Sequence, residues 1–161
     1  MQGEYADGIT QMETTLAARP PGSHQYDNCH YLSMLAEACY LDGQFERGIR
    51  HLRQALEEIK VSGELWWEAE LHHLEGCALL GCDGENSDKA QDCFQRALDV
   101  TQSQDAKMLE LRAASDLCQL LRDQDARQEA LDLLAPVYEW FTEGFETADL
   151  RAAKALLEEL S

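Results

Sequence analysis

Four side chains that can bind a metal ion lie close together in the sequence: His72, His73, Cys77 and Cys82. His73 and Cys77 are four positions apart, so on a helix they share one face, as two zinc ligands would. A tetrahedral site would also need Cys82 and a ligand from another part of the chain. No two cysteines have the C-x-x-C spacing of many zinc sites, so packing inside a helix pair is the favoured interpretation. We assign no metal ligand, and zinc at His73, Cys77 and Cys82 stays the least favoured alternative.

The other reactive side chains lack the patterns of a catalytic site. None of the six cysteines and five histidines stands in a nucleophile motif. Neighbouring carboxylates such as Glu57 and Glu58 diverge by about 100° on a helix and are expected to be separate exposed charges. The glycine-rich stretch 81–84 lacks the spacing and the Lys-Ser/Thr pair that bind phosphates. We therefore expect a protein that is not an enzyme and that needs no cofactor.

The composition predicts an all-α fold. Leu and Ala supply 24 and 20 of the 161 residues, whereas Val and Ile supply three each. Unbranched side chains lose little freedom in a helix, and β-branched ones favour sheets. The six cysteines mostly fall in leucine-rich stretches, where a reduced cysteine behaves as a small buried apolar residue.

The acidic charge limits the partners. Thirteen Lys and Arg stand against 31 Asp and Glu, a formal net charge of -18. Such a surface repels phosphate backbones and anionic lipids, so we expect neither nucleic acid nor membrane as a partner, while basic peptides stay candidates. No apolar run reaches the ~20 residues that span a bilayer and no leader opens the chain, which favours a cytoplasmic protein.

An internal repeat organises the whole chain. A small residue inside an amphipathic stretch recurs about every 40 residues, at Gly8, Gly48, Ala90 and Ala130. Apolar residues three and four positions apart surround it, so each unit is predicted as a pair of helices. A residue without bulk lets the two helices of a pair approach closely. Gly43 fits the left-handed position that ends the first helix of a pair.

This period predicts a single domain, 1–161, that begins with a half repeat (3–19) at the turn glycine Gly3. Full repeats follow at 28–61, 64–102 and 106–142, and a capping helix (148–160) ends the stack. Ser87 or Asp88 is the expected N-cap of one helix, and Thr147 is that of the last. The predicted helices span 5–18, 28–41, 45–60, 64–80, 88–101, 106–122, 126–141 and 148–160.

The repeat pattern resembles the tetratricopeptide repeat, in which a small residue, an aromatic residue and Ala-Leu follow a turn. Three stretches also resemble the C-terminal repeats of bacterial adenylate/guanylate cyclase-ATPase signalling proteins: 69–76, 110–114 and above all 133–150. The resemblance implies a right-handed α-solenoid with a regulatory role in signalling. Because the chain lacks a phosphate-binding loop, the cyclase and ATPase activities do not transfer to it.

Stacked helix pairs curve, and the first helix of each pair lines the concave wall. In the tetratricopeptide register, we expect this wall to bind a protein, a peptide or a neighbouring domain of a longer chain. An alternative is that the groove binds a small-molecule effector. The predicted groove residues are His30, Ser33, Glu37, Tyr40, Glu70, His73, Cys77, Leu80, Arg112, Ser115, Gln119 and Arg122.

Two further surface features have predicted roles. Trp66 and Trp67 open the third repeat, and packing is the favoured role of both, although one of them could project as an anchor. The half repeat (3–19) carries apolar residues at helical spacing that a missing partner helix would cover. We expect this edge to recruit a second copy of the chain, giving a homodimer.

Overall fold

A computed structural model, which describes residues 2–19, 28–63, 65–82 and 86–161, shows that the chain is all-α. Within these ranges there are eight α-helices and no strand, and none of the helices is long and apolar enough to cross a membrane. A 3-10 turn, Leu65–Trp67, precedes the fourth helix. The helices are α1 (Gln2–Ala17), α2 (Asn28–Leu41), α3 (Phe45–Ser62), α4 (Glu68–Cys82), α5 (Ser87–Gln104), α6 (Lys107–Asp123), α7 (Arg127–Glu139) and α8 (Ala148–Leu160).

Helical periodicity predicted most of these boundaries closely. The predicted bounds of α2 and α8 are confirmed at both ends, and Gly43 has the expected left-handed conformation, with φ of 75°. Thr147 precedes α8 in an extended conformation, but its side chain makes no capping hydrogen bond. The position of the last N-cap was therefore right and its predicted bond was wrong.

Five helix starts differ from the prediction, and those of α6 and α7 differ by a single residue. Helix α1 begins at Gln2, so Gly3 lies inside a helix and not in a turn. Helix α4 begins at Glu68 because Leu65–Trp67 forms the tighter 3-10 turn, and the predicted start at residue 64 lies outside the described residues. Helix α5 begins at Ser87 itself, so neither Ser87 nor Asp88 is its N-cap.

Each helix packs against the next one along the chain, from α1 to α8. The even-numbered helices also contact one another in the order α2, α4, α6 and α8. Helices α2, α4 and α6 are the first members of the predicted pairs. Helix α8, the predicted capping helix, packs against both α6 and α7. Side chains of α2, α4 and α6 can therefore meet on one surface.

The small residues of the repeat lie where helices cross. A Cβ added at Gly48 would lie 3.1 Å from the carbonyl oxygen of Ala36 and 3.4 Å from the Cβ of Cys39, so α2 and α3 touch here. Ala90 and Ala130 are fully buried. Gly8 differs, because no described atom lies within 4 Å of an added Cβ. The repeat pattern therefore continues into α1, but the close contact does not.

The clusters of buried side chains are larger toward the C-terminus of the chain. Its largest cluster of buried side chains joins α3 to α8 and centres on Phe94, Leu111 and Leu134, which are completely buried. A smaller cluster joins α2, α3 and α4, and the smallest joins α1 to α2 through Ile9. Four of the six cysteines are buried as expected, and none of the six, all of which lie in described residues, forms a disulfide.

Candidate binding groove

A cavity of about 510 Å³ opens where the C-terminal ends of α2, α4 and α6 meet. Each helix contributes residues of its predicted groove face to the wall: Tyr40 on α2, Cys77 and Leu80 on α4, and Gln119 on α6. Tyr40 and Leu80 are equivalent positions of successive repeats, and so are Cys77 and Gln119. Helix α5 supplies a fourth side. The full lining is Tyr40, Cys77, Leu80, Gly81, Ser87, Phe94, Asp116, Gln119, Leu120, Asp123 and Gln124.

Of the residues predicted on α2, only Tyr40 lines this cavity. His30 lies at the other end of the helix and stacks on Trp67, with 4.4 Å between the ring centroids. Ser33 is buried, and its hydroxyl donates to the carbonyl oxygen of His30 at 2.7 Å. Glu37 is exposed. The α2 face is therefore polar at its exposed middle and aromatic at both ends.

Trp66 and Trp67 have separate environments, so the favoured prediction that both are packed is confirmed for Trp67 and wrong for Trp66. Trp67 is half-buried against His30 and helps hold α4 to α2. The Trp66 side chain is 76% exposed. Trp66 lies in the turn before α4, away from the residues that line the cavity.

The residues predicted on α4 form a compact polar cluster at the cavity wall. His73 Nε2 lies 2.6 Å from Asp116 Oδ2 on α6 and 3.6 Å from the Cys77 sulfur. The Cys77 sulfur lies 3.5 Å from the same carboxylate oxygen. Glu70 faces the other ring nitrogen of His73, with 3.9 Å between Oε2 and Nδ1. Three titratable side chains from two helices thus converge on one point.

Asp116 was missed by the sequence analysis, which placed Ser115 on the wall. The sequence held a weak signal for Asp116. The repeat shift that takes Gly48 to Ala90 also takes His73 to Ser115, so the residue beside Ser115 was expected near His73. The structure shows that Asp116 and Gln119 line the cavity, whereas Ser115 does not. Helix α6 is therefore turned slightly relative to the register that the repeat predicts.

The two arginines predicted in the groove form ion pairs with carboxylates of α8. Arg112 donates to Asp149 with 2.9 Å between Nε and Oδ2. Arg122 donates to Glu159 on α8 at 3.1 Å and to its neighbour Asp123 at 3.0 Å. These pairs neutralise the positive charges that sequence reasoning had placed in the groove. The charged residues that line the cavity, Asp116 and Asp123, are both acidic and lie beside apolar side chains such as Leu80.

Burial sets the ionisation of the groups at the cavity. The pKa of the Cys77 thiol is raised, first by burial and then by the negative charge of Asp116 and its hydrogen bond. Burial also raises the pKa of Tyr40, and the neighbouring Cys77 and Asp116 add to the effect. Both side chains are therefore protonated at neutral pH.

The cluster does not have the geometry of a catalytic cysteine site. In such a site one imidazole nitrogen accepts the thiol proton and the other is held by a carboxylate or amide. Here the same nitrogen, His73 Nε2, faces both Cys77 and Asp116. A thiol whose pKa is raised is also a poor nucleophile.

Comparisons with known proteins give no relative: no family model, no curated protein and no solved structure matches this chain.

Proposed function

We propose that the chain is a non-catalytic interaction module that binds a basic, extended segment of a partner protein along α2, α4 and α6. One observation carries the proposal: predicted groove residues of three successive repeats, Tyr40, Leu80 and Gln119, line one cavity. A right-handed α-solenoid of tetratricopeptide-like pairs would place such positions side by side on its concave wall. A peptide that crosses the wall would then contact every repeat.

The charges at the cavity favour a cationic partner. Asp116 and Asp123 line it, and of these two carboxylates Asp123 is already paired with Arg122 whereas Asp116 has no ion pair with an arginine or lysine among the described residues. The three helices that meet there contribute their C-terminal ends. Unpaired carbonyl groups give a helix C-terminus a partial negative charge, which favours Lys and Arg side chains. The net charge of -18 would also attract a basic segment from a distance. We therefore infer that a Lys or Arg of the partner enters the cavity.

The biological setting in this proposal follows from the resemblance to bacterial cyclase-ATPase signalling proteins. The module would work in the cytoplasm and would bind a partner, or a neighbouring domain of a longer chain, to regulate a signalling output. The long repeat spacing, which runs from Gly8 to Gly48, Ala90 and Ala130, supports this assignment.

A small-molecule effector is the second candidate, because about 510 Å³ falls within the ~300–1,000 Å³ of ordinary ligand sites. The rim favours the peptide. Tyr40, Gln119, Asp123 and Gln124 are exposed, so the cavity is open to solvent along one side. A chain can run through such an opening, whereas small-molecule sites bury most of their ligand.

A peptide selection followed by a charge change in the cavity tests the proposal. A random peptide library displayed on phage would be selected on the full chain, and the affinity of an enriched peptide would be measured by fluorescence anisotropy. We expect enriched peptides to be basic. Gln119→Lys adds a positive charge to the wall at an exposed position and should weaken binding at least about fivefold, since like charges ~4 Å apart repel by roughly 1 kcal/mol even in water.

Gln95→Lys is the matched control. Gln95 is exposed on α5, does not line the cavity, and its substitution changes the net charge by the same amount. It should leave the affinity unchanged. Failure to enrich any basic peptide, or equal weakening by both substitutions, would contradict binding at the cavity. Selective binding of a small cationic molecule in place of peptides would favour the effector alternative.

A further inference from the structure

We propose that His73, Cys77 and Asp116 bind one zinc ion at the cavity wall, with a water molecule as the fourth ligand. The sequence analysis assigned no metal here, and its zinc alternative used Cys82 in place of Asp116. The structure brings together an imidazole nitrogen, a thiol sulfur and a carboxylate oxygen that all lie within 4.8 Å of one another. Zinc takes these three donor types in proteins.

The separations between the donor atoms fit a tetrahedral zinc ion. Zinc–sulfur bonds of about 2.3 Å and zinc–nitrogen or zinc–oxygen bonds of about 2.0 Å at a tetrahedral angle place sulfur about 3.5 Å from each of the other donors. The Cys77 sulfur lies 3.6 Å from His73 Nε2 and 3.5 Å from Asp116 Oδ2.

The third distance between donor atoms, from His73 Nε2 to Asp116 Oδ2, must increase when the metal binds. His73 Nε2 and Asp116 Oδ2 are 2.6 Å apart because they share a hydrogen, whereas two zinc ligands would be about 3.3 Å apart. The Asp116 side chain is 35% exposed at the cavity, so it has room for this shift. The thiol proton of Cys77 is released to solvent when the sulfur binds zinc.

Two buried polar atoms without a hydrogen bond support the metal. His73 Nδ1 and Glu70 Oε2 are buried, have no hydrogen-bond partner in the described part of the chain, and lie 3.9 Å apart. Zinc on Nε2 would require the ring hydrogen to be on Nδ1, where it faces Glu70. A zinc-bound histidine usually donates its other N–H to a carboxylate, which fixes the ring. Glu70 is therefore the positioning residue of the site.

The fourth ligand position faces the cavity. Cys77 and Asp116 line it, whereas the other ring nitrogen of His73, Nδ1, faces Glu70. Three protein ligands with one open position are typical of zinc sites at which water or another molecule can bind. Asp116 belongs to both proposals, as a carboxylate of the groove and as a zinc ligand, but zinc uptake can be measured without any peptide.

The test is a competitive zinc titration of the full chain against a chromophoric chelator, after all metal has been removed. We expect one equivalent of zinc to bind. Co²⁺, which accepts the same donors, should give the absorption of a tetrahedral ion and a thiolate-to-cobalt charge-transfer band. Cys77→Ser should abolish that band. Asp116→Asn should weaken zinc binding by more than the roughly 10–100-fold that outer residues contribute, and Glu70→Gln should weaken it within that range.

Two substitutions serve as controls. Cys82→Ser removes the ligand of the alternative site, and His72→Ala removes the adjacent imidazole of α4. Both should bind zinc like the wild type. Circular dichroism of the metal-free variants separates loss of a ligand from loss of the fold, and the isosteric Asp116→Asn keeps the test valid if His73 or Cys77 variants unfold.

The proposal is overturned if the wild-type chain takes up no zinc, if the cobalt form lacks the thiolate band, or if Asp116→Asn binds as tightly as the wild type. Loss of binding in Cys82→Ser with retention in Asp116→Asn would establish the alternative ligand set instead. None of these outcomes depends on whether a basic peptide binds the groove.

Discussion

The contact between Gly76 and Phe94 is a very tight helix crossing in the main core, and Gly76→Ala should destabilise the protein. A Cβ at Gly76 would lie 2.6, 2.8 and 2.9 Å from three carbons of the Phe94 ring. Ordinary carbon contacts are about 3.5–4.0 Å. Phe94 is completely buried, and the free space that its ring borders is the cavity of the groove. The added methyl group must therefore displace the ring toward that cavity or push α4 and α5 apart, and both responses lose packing contacts.

Two opposing effects set the magnitude. Overpacking of a core by one methyl group typically costs ~1–3 kcal/mol, whereas alanine is favoured over glycine inside a helix by up to ~1 kcal/mol. The free energy of unfolding should therefore fall by about 1–2 kcal/mol. For a chain of this size, that corresponds to a decrease of about 2–8 °C in the melting temperature. Thermal melts and urea titrations followed by circular dichroism would measure both quantities.

Gly8→Ala is the matched control. Gly8 also lies inside a helix, but no atom of the described residues comes within 4 Å of an added Cβ, so the gain in helix propensity is the expected effect. This substitution should stabilise the chain slightly or leave it unchanged. If Gly76→Ala were as stable as the wild type, or if both substitutions shifted stability in the same direction, the packing described here between α4 and α5 would be wrong.

Other elements of the fold give three more testable expectations. Ala90→Leu should lower the free energy of unfolding by ~1–3 kcal/mol because Ala90 is fully buried at a crossing, and a melt within a degree of the wild type would refute the repeat register. Hydrogen bonds from Arg47 lower the pKa of Glu13, so this group stabilises the fold above its unfolded pKa and the effect is lost as the pH falls through the folded pKa. Glu13→Gln should thus cost up to ~1 kcal/mol in urea titrations at neutral pH and nothing in strong acid, and a constant difference would contradict the pairing. Met12 and Met34 line an open cavity of about 420 Å³ between α1 and α2, where we expect a second copy of the chain to bind. A molar mass of 18.2 kDa by light scattering at high salt, where charge repulsion is screened, would exclude this dimer.

The sequence predicted the helices well because their apolar positions repeat with the helical period. Helices α2 and α8 were predicted to the residue, and Gly43 was predicted in its left-handed conformation. The start of α4 was not, since a 3-10 turn at Leu65–Trp67 uses the same residue types as a helix. Periodicity alone does not distinguish the two.

The site was predicted only in part, because its polar residues are placed by contacts between distant helices. Tyr40, Cys77, Leu80 and Gln119 line the cavity as the repeat register implies. The same register placed Ser33 on the wall, but it is buried with its hydroxyl bonded to its own helix. Small polar side chains can form hydrogen bonds with the backbone of their own helix in this way, and no sequence pattern indicates which ones do.

Charged residues were the hardest to assign. In the sequence Arg112 and Arg122 have no evident partner, yet each is paired with a carboxylate of α8 that lies 37 residues further along the chain. Asp116 is one acidic residue among 31, yet it meets His73 across two helices. Such pairings follow from the tertiary packing, to which the charges themselves contribute little.

Hydrogen–deuterium exchange with a selected basic peptide would test the central claim of a binding wall most directly. If the peptide crosses the proposed wall, the amides near the C-terminal ends of α2, α4 and α6 should exchange more slowly in the complex, while those of α3 and α7 should change little. Slowing confined to α3 and α7, or no slowing on α2, α4 and α6, would contradict the proposed function.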